Sequence, residues 1–517
     1  MDMIKLEKSH MLTQSVWHSE QIRTLEYQAA KQAGVSMMEL MARAGLAVFH
    51  QAHASWPHAQ HWWVMTGSGN NGGDGYIVAR LAHAAGIKVT LVQVGDETRQ
   101  SDEAAQARHA YLEAGGTISE LSALQSDKEP DLIIDALLGI GFKGVLRPAY
   151  AQAISLINHA HTQLKTPVLA IDIPSGLESN TGHIATVAVQ ANITVCMIGL
   201  KLGLLTGRGP DVAGRVLLAS LNIESALSHH AQFLTSAAQV MHWSALRPLL
   251  PSRRVAAHKG EAGRVLAVGG NLGMSGAIRL AGEGALRCGA GLVRLLSHKE
   301  HQFSLNLGRP ELMTARFPDF NDWQWPSCMV LGPGLGRDDW AFALYQCALQ
   351  HNTAPMVIDA DALWWLAQNP RLAHATSAIK QEWVLTPHSG EAARLLQCTV
   401  AEIEADRLRA VRTLQSKYGG VVVLKGAGTL VADEQQVRVC HYGNNGMASG
   451  GMGDLLSGII AALLAQGLST FTAASLGVCL HAIAADRAAR EGKRGLLASD
   501  LLLPLRCLLN EDEEYDE

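Results

Sequence analysis

The sequence carries no excess of basic residues. Its 42 Lys and Arg are outnumbered by 47 Asp and Glu, which gives a formal net charge of -5 at pH 7. A protein that binds the phosphate backbone of nucleic acid usually presents a basic face. The charge balance therefore argues against nucleic acid as a partner.

Cysteine pairs and long apolar runs are absent as well. The eight cysteines include no C-x-x-C and the 22 histidines show no paired ligand spacing, so we predict neither a zinc site nor a disulfide framework. The longest apolar run, LLSGIIAALLAQG, is too short to cross a bilayer. The first residues, MDMIKLEKSHMLTQ, lack the apolar stretch of a secretory signal. We expect a cytoplasmic protein that is not bound to a membrane.

The sequence does contain a repeated alternation of strand-like and helix-like segments. Short apolar runs such as HWWVM, KVTLVQVG, RVLAVGG and PMVIDAD are separated by segments with helical spacing. This order predicts an α/β protein with parallel sheets covered on both faces. The 517 residues exceed one ordinary domain, and the alternation lapses around residues 223–240. We predict a first domain over residues 1–226, a linker over 227–240 and a second domain over 241–517.

Residues 67–75, GSGNNGGDG, fit the dinucleotide fingerprint G-x-G-x-x-G. That match alone would predict an NAD-dependent oxidoreductase. Asp74 within the loop would repel a pyrophosphate, however. The amides of Asn70 and Asn71 suit sugar hydroxyls, an amide-bearing ring or a hard cation. The loop therefore predicts a ligand site without fixing the ligand.

Polar residues end two further predicted strands of the first half. Asp135 ends LIIDALLGIG, and Asp172 and Ser175 end VLAIDIPSG. Because the carboxyl ends of parallel strands meet at one edge of a sheet, these residues would share that edge with Asn71. Their oxygens suit a hard cation, and the glycines of GIGFKG leave room for a phosphate against backbone amides. Each aspartate could instead simply cap a helix or turn.

The second half contains a glycine-rich turn that ends in an aspartate. NNGMASGGMGD places Asp454 in the first turn of a predicted helix. Amides there would stabilise a transferring phosphoryl group while Asp454 accepts a hydroxyl proton. LKGAGT suits a nucleotide, and TPHSGE places His388 at a strand end. A P-loop motif is absent, and the alternatives are a capping Asp454 and a structural His388.

The motifs in their order resemble those of a known family. ELMARAG, GSGNNGGDG, DALLGIG and DIPSG, then HKGEAGRVLAVGG, GPGLG, TPHSGE, LKGAGT and NNGMASGGMGD, resemble the bifunctional NAD(P)H-hydrate repair enzymes over nearly the whole chain. The resemblance implies a Rossmann-like NAD(P)HX epimerase domain followed by a ribokinase-like NAD(P)HX dehydratase domain. It implies epimerisation of R and S hydrated cofactor, and ADP-dependent dehydration of the S form to NAD(P)H with release of AMP and phosphate.

The resemblance also implies roles for individual residues. Asp172 and Asp454 would be catalytic, and Asp172 would also contact the hydrated nicotinamide. The epimerase would bind its substrate through Asn70, Asn71, Gly72, Gly73, Asp74, Gly139, Ile140, Gly141, Phe142, Lys143, Gly144 and Val145, and potassium through Asn71, Asp135 and Ser175. The dehydratase would bind its substrate through Ala262, Gly334, His388 and Asp454, and the nucleotide through Lys425, Gly426, Ala427, Gly428, Thr429 and Gly453.

The expected cofactors are K⁺ in the first domain and Mg²⁺ with ADP in the second. The expected partners are small molecules, NADHX or NADPHX and ADP, and we expect a homo-oligomer. Three alternatives stay open. They are a ribokinase-like kinase fused to a ligand-binding domain, an NAD-dependent dehydrogenase, which Asp74 opposes, and a non-enzymatic sensor that binds a nucleotide metabolite without turnover.

Overall fold

The computed structural model describes residues 3–5, 14–96, 98, 100–125, 129–369 and 382–510. The chain divides into two compact units, Met1–Val240 and Met241–Glu517. Most of the opening segment, in which no secretory signal is predicted, lies outside the described residues. The segment expected as a linker, residues 227–240, holds the end of one helix and a short strand, and both belong to the first unit.

The first unit contains one large sheet and a small one. Its strands are β1 (Met3–Lys5), β2 (Ser15–Trp17), β3 (His61–Thr66), β4 (Lys88–Gln93), β5 (Ile118–Ser119), β6 (Leu132–Ala136), β7 (Val168–Ile171), β8 (Ile193–Met197), β9 (Leu200–Lys201), β10 (Arg215–Ala219) and β11 (Ala238–Val240). Its helices are α1 (Ser19–Ala33), α2 (Met37–Ser55), α3 (Asn70–Ala84), α4 (Asp102–Glu113), α5 (Pro148–Gln163), α6 (Gly209–Val212) and α7 (Glu224–Ala231).

The large sheet of the first unit has the strand order β1-β10-β8-β7-β6-β3-β4-β5. All its strands are parallel except β1. Strands β3, β6, β7 and β8 are buried along their whole length, which explains their nearly continuous apolar sequences. The chain runs outward from β3 to β4 and β5, and then returns to the other side of β3 with β6. The carboxyl ends of β3 and β6 therefore form a topological switch point, where such sheets bind ligands.

The second unit is built on a nine-strand arrangement within the described residues. Its strands are β12 (Arg264–Val268), β13 (Leu292–His298), β14 (Leu312–Phe317), β15 (Cys328–Leu331), β16 (Met356–Ile358), β17 (Trp383–Leu385), β18 (Val421–Leu424), β19 (Thr429–Ala432) and β20 (Val437–Cys440). Its helices are α8 (Trp243–Leu246), α9 (Ser275–Arg287), α10 (Asp339–His351), α11 (Ala360–Gln368), α12 (Ser389–Leu396), α13 (Val400–Ala405), α14 (Arg407–Tyr418), α15 (Met452–Ala465), α16 (Thr470–Ala488) and α17 (Leu502–Leu508).

The strand order of the second unit is β14-β13-β12-β15-β16-β17-β18-β19-β20. The strands from β14 to β18 are parallel, and β18, β19 and β20 form an antiparallel meander. The switch point here lies between β12 and β15. The predicted α/β class with largely parallel sheets is confirmed in both units.

Helix α15 forms the centre of the second core. Eleven of its residues are buried, from Met452 to Leu464. It crosses α9 so closely that a Cβ added at Gly458 would lie 1.9 Å from the carbonyl oxygen of Ala281. A helix that is apolar on all sides belongs in the interior of a large domain. Among the described residues, no helix is both long enough and apolar enough to span a membrane.

Candidate active sites

A cavity of about 670 Å³ lies at the switch point of the first unit. It opens between the loop after β3 and the loop after β6, with α1 and α2 along its side. The predicted epimerase residues that line it are Asn70, Asn71, Asp74, Gly139, Ile140, Gly141, Phe142, Lys143, Val145 and Asp172. Most of the residues predicted to bind the epimerase substrate therefore lie along the wall of a single cavity.

Three other predicted residues of this set lie next to the cavity rather than along it. A Cβ at Gly72 would come within 2.1 Å of the Gly67 carbonyl oxygen, and one at Gly73 within 2.6 Å of Met41 Sδ. These two glycines let helix α3 pack tightly against its neighbours. The amide of Gly144 donates to Glu178 Oε1 at 2.8 Å. All three residues shape the loops that hold the wall.

The residues predicted to bind potassium converge around the main chain of Leu138. Asn71 Nδ2 donates to the Leu138 carbonyl at 3.1 Å, and the Leu138 amide donates to Ser175 Oγ at 2.9 Å. Ser175 Oγ in turn donates to Asp135 Oδ1 at 2.5 Å. Burial raises the pKa of Asp135 to about 6, although the donors from Ser175 and Leu137 oppose this shift.

The three residues predicted to bind potassium supply a carboxylate, a hydroxyl and an amide oxygen, and the carbonyl oxygen of Leu138 lies among them. Within the described ranges, no group of three or more His, Cys, Asp or Glu side chains could hold a metal ion. A cation here would therefore rely on mostly neutral oxygens. This donor chemistry fits a monovalent ion such as potassium.

Asp172 follows β7 in a left-handed conformation, with φ of 65°. Its amide donates to the Val195 carbonyl at 2.8 Å, and its Oδ1 accepts from the Met197 amide at 2.9 Å. The same oxygen forms an ion pair with the ammonium group of Lys201, whose side chain is fully buried. Burial opposes the charge of Lys201, but Asp172 and the Cys196 thiol hold its pKa above the ordinary value. The strained backbone and the ion pair fix the Asp172 carboxylate at the cavity wall.

Two residues of this site were missed in the sequence. Lys201 lies 29 positions after Asp172, so no local motif joins them. Glu26 lines the cavity from helix α1. It follows the buried Leu25 and stands four positions after the buried Ile22. A carboxylate at the edge of the buried face of an amphipathic helix was the available signal.

In the second unit, α15 begins directly after Gly451, which has φ of 87°, and Asp454 lies in the first turn of this helix. Burial and the carboxylates of Asp359 and Asp361 raise the pKa of Asp454 to about 6, although Lys425 opposes this shift. A Cβ at Gly453 would lie 3.1 Å from Lys425 Nζ. The helix start thus combines free amide groups, an acid whose pKa is close to neutrality, and an ammonium group.

Lys425 and Asp359 form a buried ion pair at this edge. Lys425 Nζ lies 2.7 Å from Asp359 Oδ1, and Ser457 Oγ donates to Asp359 Oδ2 at 2.6 Å. The pairing keeps the pKa of Lys425 above and that of Asp359 below the ordinary value, although burial opposes both charges. Asp359 was missed in the sequence, where its position after the apolar run PMVI was the signal.

His388 caps helix α12 at the carboxyl end of β17. Its Nδ1 accepts from the Gly390 amide at 2.9 Å, while its amide donates to Glu391 Oε2 at 2.8 Å. Burial and Lys425 lower the pKa of His388, so its ring is neutral near pH 7. Burial raises the pKa of Glu391 to about 7, against the effect of Lys425. His388 serves as a cap, as its alternative interpretation held, and its side chain is also 60% exposed and open to a ligand.

The predicted nucleotide turn joins β18 to β19. Thr429 Oγ1 donates to the Gly426 carbonyl at 2.9 Å, which closes the turn. The buried guanidinium of Arg407 donates to the carbonyls of Leu424 and Lys425 at 3.1 Å. Gly426 and Ala427 are exposed. Arg407 therefore holds the turn from the protein interior, while the side of the turn that carries Gly426 and Ala427 faces solvent.

Gly334 lies at the carboxyl edge and Ala262 does not. The Asn271 amide donates to the Gly334 carbonyl at 2.7 Å, which joins the ends of β12 and β15. Ala262 precedes the amino end of β12, and its neighbour Gly263 abuts Ala465 at the far end of α15. The 14-residue α15 is about 20 Å long. Ala262 therefore lies at the opposite end of β12 from Gly334, and its contact with the substrate stays a prediction.

Comparisons with known proteins agree with this arrangement. The model described as "YjeF-related protein N-terminus" matches residues 37–203, and that described as "NAD(P)H-hydrate dehydratase" matches residues 265–505. A solved ADP/ATP-dependent NAD(P)H-hydrate dehydratase from Bacillus subtilis, co-crystallised with ATP and Mg²⁺, is 26% identical. It aligns with a TM-score of 0.46 over 52% of this chain and 96% of its own.

Several relatives match this chain over nearly its whole length and theirs. The chain is 46% identical over 513 residues to the bifunctional NAD(P)H-hydrate repair enzyme Nnr of Escherichia coli (strain K12), covering 97% of this chain and 96% of the relative. The enzyme of the same name from Coxiella burnetii is 44% identical, over 96% of this chain and 99% of its own. The Leishmania braziliensis enzyme is 37% identical, over 97% and 94%. This chain belongs to the family of bifunctional NAD(P)H-hydrate repair enzymes.

Proposed function

We propose that the first unit interconverts the R and S epimers of hydrated NADH and NADPH, and that the second unit dehydrates the S epimer. The dehydration consumes ADP and yields NAD(P)H, AMP and phosphate. The observation that carries the proposal is that each sheet places an acidic side chain, Asp172 or Asp454, at the ligand-binding edge beside a buried ammonium group.

In the first unit, Asp172 contacts the hydrated nicotinamide and is the proton-transfer group for the reversible change at the hydrated carbon. The loops of residues 70–74 and 139–145 hold the rest of the substrate. The cavity of about 670 Å³ is large enough for a nucleotide. Asn71, Asp135 and Ser175 bind potassium, whose positive charge would offset the negative charge of a phosphate nearby.

In the second unit, the substrate lies against Gly334 and His388, and the nucleotide contacts residues 425–429 and Gly453. Asp454 accepts the proton of the substrate hydroxyl, whose oxygen takes the terminal phosphoryl group of ADP. The amides at the start of α15 stabilise the charge on that group. The ring nitrogen then expels phosphate, which is a far better leaving group than hydroxide, and loss of a proton from the adjacent ring carbon to the departing phosphate restores NAD(P)H.

Magnesium would bind this site together with the nucleotide. The described residues form no preassembled metal cage, and magnesium commonly binds through substrate phosphates and one or two carboxylates. Asp359, Asp361 and Glu391 are the carboxylates near Lys425 and Asp454. When bound, the ion would neutralise charge on the phosphates.

The cytoplasm is the compartment in which we propose that the enzyme acts. All eight cysteines are free thiols, and reduced thiols suit a reducing compartment. Assembly into a homo-oligomer stays a prediction, which sedimentation velocity would test.

The direct experiment incubates a mixture of R- and S-NADHX with the protein, Mg²⁺ and K⁺, with and without ADP, and separates the products by chromatography. We expect both epimers to become NADH, with one AMP formed per NADH and only when ADP is present. Asp172→Asn should leave the R epimer unconsumed, whereas Asp454→Asn should leave both epimers but allow their interconversion. A wild-type protein that forms no NADH would refute the proposal.

A further inference from the structure

Four carboxylates from four different elements line the cavity of the first unit. Glu26 projects from α1, Asp74 from α3, Glu103 from α4, and Asp172 from the end of β7. The proposed function uses Asp172, and the family resemblance includes Asp74 among the binding residues. Glu26 and Glu103 have no assigned role, and Glu26 interacts electrostatically with Asp172.

The geometry of α1 directs Glu26 into the cavity. Arg23, three residues earlier, reaches the loop after β6, because a Cβ at Gly141 would lie 3.1 Å from its Nη2. Near the start of the same helix, Glu20 Oε1 lies 3.2 Å from Lys143 Nζ on that loop. Helix α1 is thereby held across one side of the site, with Glu26 about one turn beyond these contacts.

Asp172, Asp74 and Glu26 differ in what holds them. Asp172 accepts hydrogen bonds from the Met197 amide and from Lys201, which fix the position of its carboxylate. Within the described part of the chain, the structure gives no hydrogen bond or ion pair within 4 Å to the Glu26 or the Asp74 carboxylate. The charged groups that act on Glu26 are Asp172, Lys201 and Arg23, and those that act on Asp74 are Glu26 and Asp172. Glu26 is therefore a carboxyl group of this cavity that no described donor or cation holds directly, and it is close enough to Asp172 for the two charges to interact.

We propose that Glu26 is a second catalytic proton-transfer residue of the epimerase, working with Asp172. This inference rests on the proposed epimerase function. An epimerase must let a group leave from one face of a carbon and return to the other. Two acid–base groups on different parts of the cavity wall suit such a reaction.

In the proposed step, each bond that breaks is matched by one that forms, and the donated proton is recovered. The Glu26 carboxylic acid donates its proton to the hydroxyl oxygen of the hydrated ring. The carbon–oxygen bond breaks, its electron pair leaves with the water formed, and the ring nitrogen lone pair makes a carbon–nitrogen double bond. Water then adds to the other face, and the proton it releases returns to Glu26, directly or through Asp172.

The pKa values of the carboxyl groups in this cavity fit the proposed role of Glu26 as a proton donor and acceptor. Burial, followed by the charge of Asp172, raises the pKa of Glu26 to about 7, while Lys201 and Arg23 oppose the shift. Burial, together with Glu26 and Asp172, raises the pKa of Asp74 well above its ordinary value. A general acid–base group works best when its pKa lies near the working pH, and Glu26 meets that condition.

The test measures R-to-S epimerisation by the full chain without ADP, so that no dehydration interferes. We expect Glu26→Gln to lower kcat by about 100-fold or more with little change in KM, and to remove the rate dependence on pH near 7. The matched control is Glu113→Gln on the exposed surface of α4, which should keep the wild-type rate. Calorimetry should show the thermal transitions of both variants at the wild-type temperatures, which would show that the first unit is folded.

A Glu26→Gln enzyme with the wild-type kcat and pH profile would overturn the inference and leave the epimerase function standing. If Glu26→Gln does not fold, Glu26→Asp replaces it. We then expect a loss of roughly 10-fold with the pH dependence near 7 retained, and an unchanged rate would again overturn the inference. A wild-type chain that does not epimerise would overturn the proposed function, and this inference with it.

Discussion

Lys425 Nζ and Asp359 Oδ1 lie 2.7 Å apart in a buried ion pair at the edge of the second sheet, next to the proposed base Asp454. The two charges act on Asp454 in opposite directions. Asp359 raises its pKa and Lys425 lowers it. Burial is the largest cause of the raised pKa of Asp454, and the pair adjusts the pH range over which Asp454 can accept a proton.

The first prediction concerns the pH dependence of dehydration. The ionised form of Asp454 is the active one, so the wild-type rate should fall as the pH drops below about 6. Asp359→Asn removes a nearby negative charge while Lys425 remains, so the acid limb should move to lower pH by on the order of one unit. Rate–pH profiles with saturating ADP measure this. The exposed Asp339→Asn serves as control, and an acid limb that moved to higher pH would contradict the account.

The second prediction concerns the glycine turn before α15. Gly453→Ala would place a methyl group 3.1 Å from Lys425 Nζ and displace the ion pair. We expect kcat for dehydration to fall on the order of 10-fold or more, with epimerisation unchanged. Gly450→Ala in the same turn is the matched control, because a Cβ there meets nothing within 4 Å. Equal losses in both variants would show that the turn tolerates no side chain anywhere, and that the Lys425 contact is not the cause.

The third prediction concerns the Lys201–Asp172 pair. Lys201→Met leaves the Asp172 carboxylate without its buried partner, which should cost about 3–5 kcal/mol in the free energy of unfolding. Calorimetry should show one thermal transition lowered and the other unchanged. Lys201→Met combined with Asp172→Asn should recover part of the loss, because no unpaired charge remains. The exposed Lys31→Met is the control, and a Lys201→Met chain as stable as this control would rule out the coupling.

The fourth prediction concerns potassium. Ser175→Ala removes the hydroxyl group that bonds Asp135 and the Leu138 main chain. We expect the potassium concentration for half-maximal epimerisation to rise about 10-fold or more. The titration uses KCl at constant ionic strength, balanced with choline chloride, and Ser155→Ala on α5 is the control. Epimerisation that does not depend on potassium in the wild type would exclude the cation site.

The sequence predicted which residues lie at each site better than it predicted which of these residues contact one another. Asn71, Asp135 and Ser175 could be assigned to one edge because each ends an apolar run, and parallel strands bring such ends together. Lys201 and Asp359 could not be paired in this way. Each meets its partner through the packing of separate elements, and sequence distance carries no information about that contact.

Ala262 shows that a correctly predicted strand does not by itself tell at which end of the sheet its neighbouring residues lie. The segment HKGEAG precedes β12, whereas GGN follows it, and only the latter reaches the ligand-binding edge. Both segments are rich in glycine and polar residues. The direction of the strand within the sheet, which decides between them, is set by the order of all its neighbours.

The burial of α15 has a consequence for how the dehydratase tolerates change. This helix carries Asp454 at one end, and its remaining length is held by the core, with no room for even a methyl group where it crosses α9. The position of Asp454, the proposed base, is thus determined by the packing of the domain and not by an adjustable surface loop. Substitutions deep in the core, far from any ligand, should therefore slow dehydration before they unfold the chain. Because α15 carries Asp454, we also expect the dehydration activity to fall at a lower temperature than the one at which the chain unfolds.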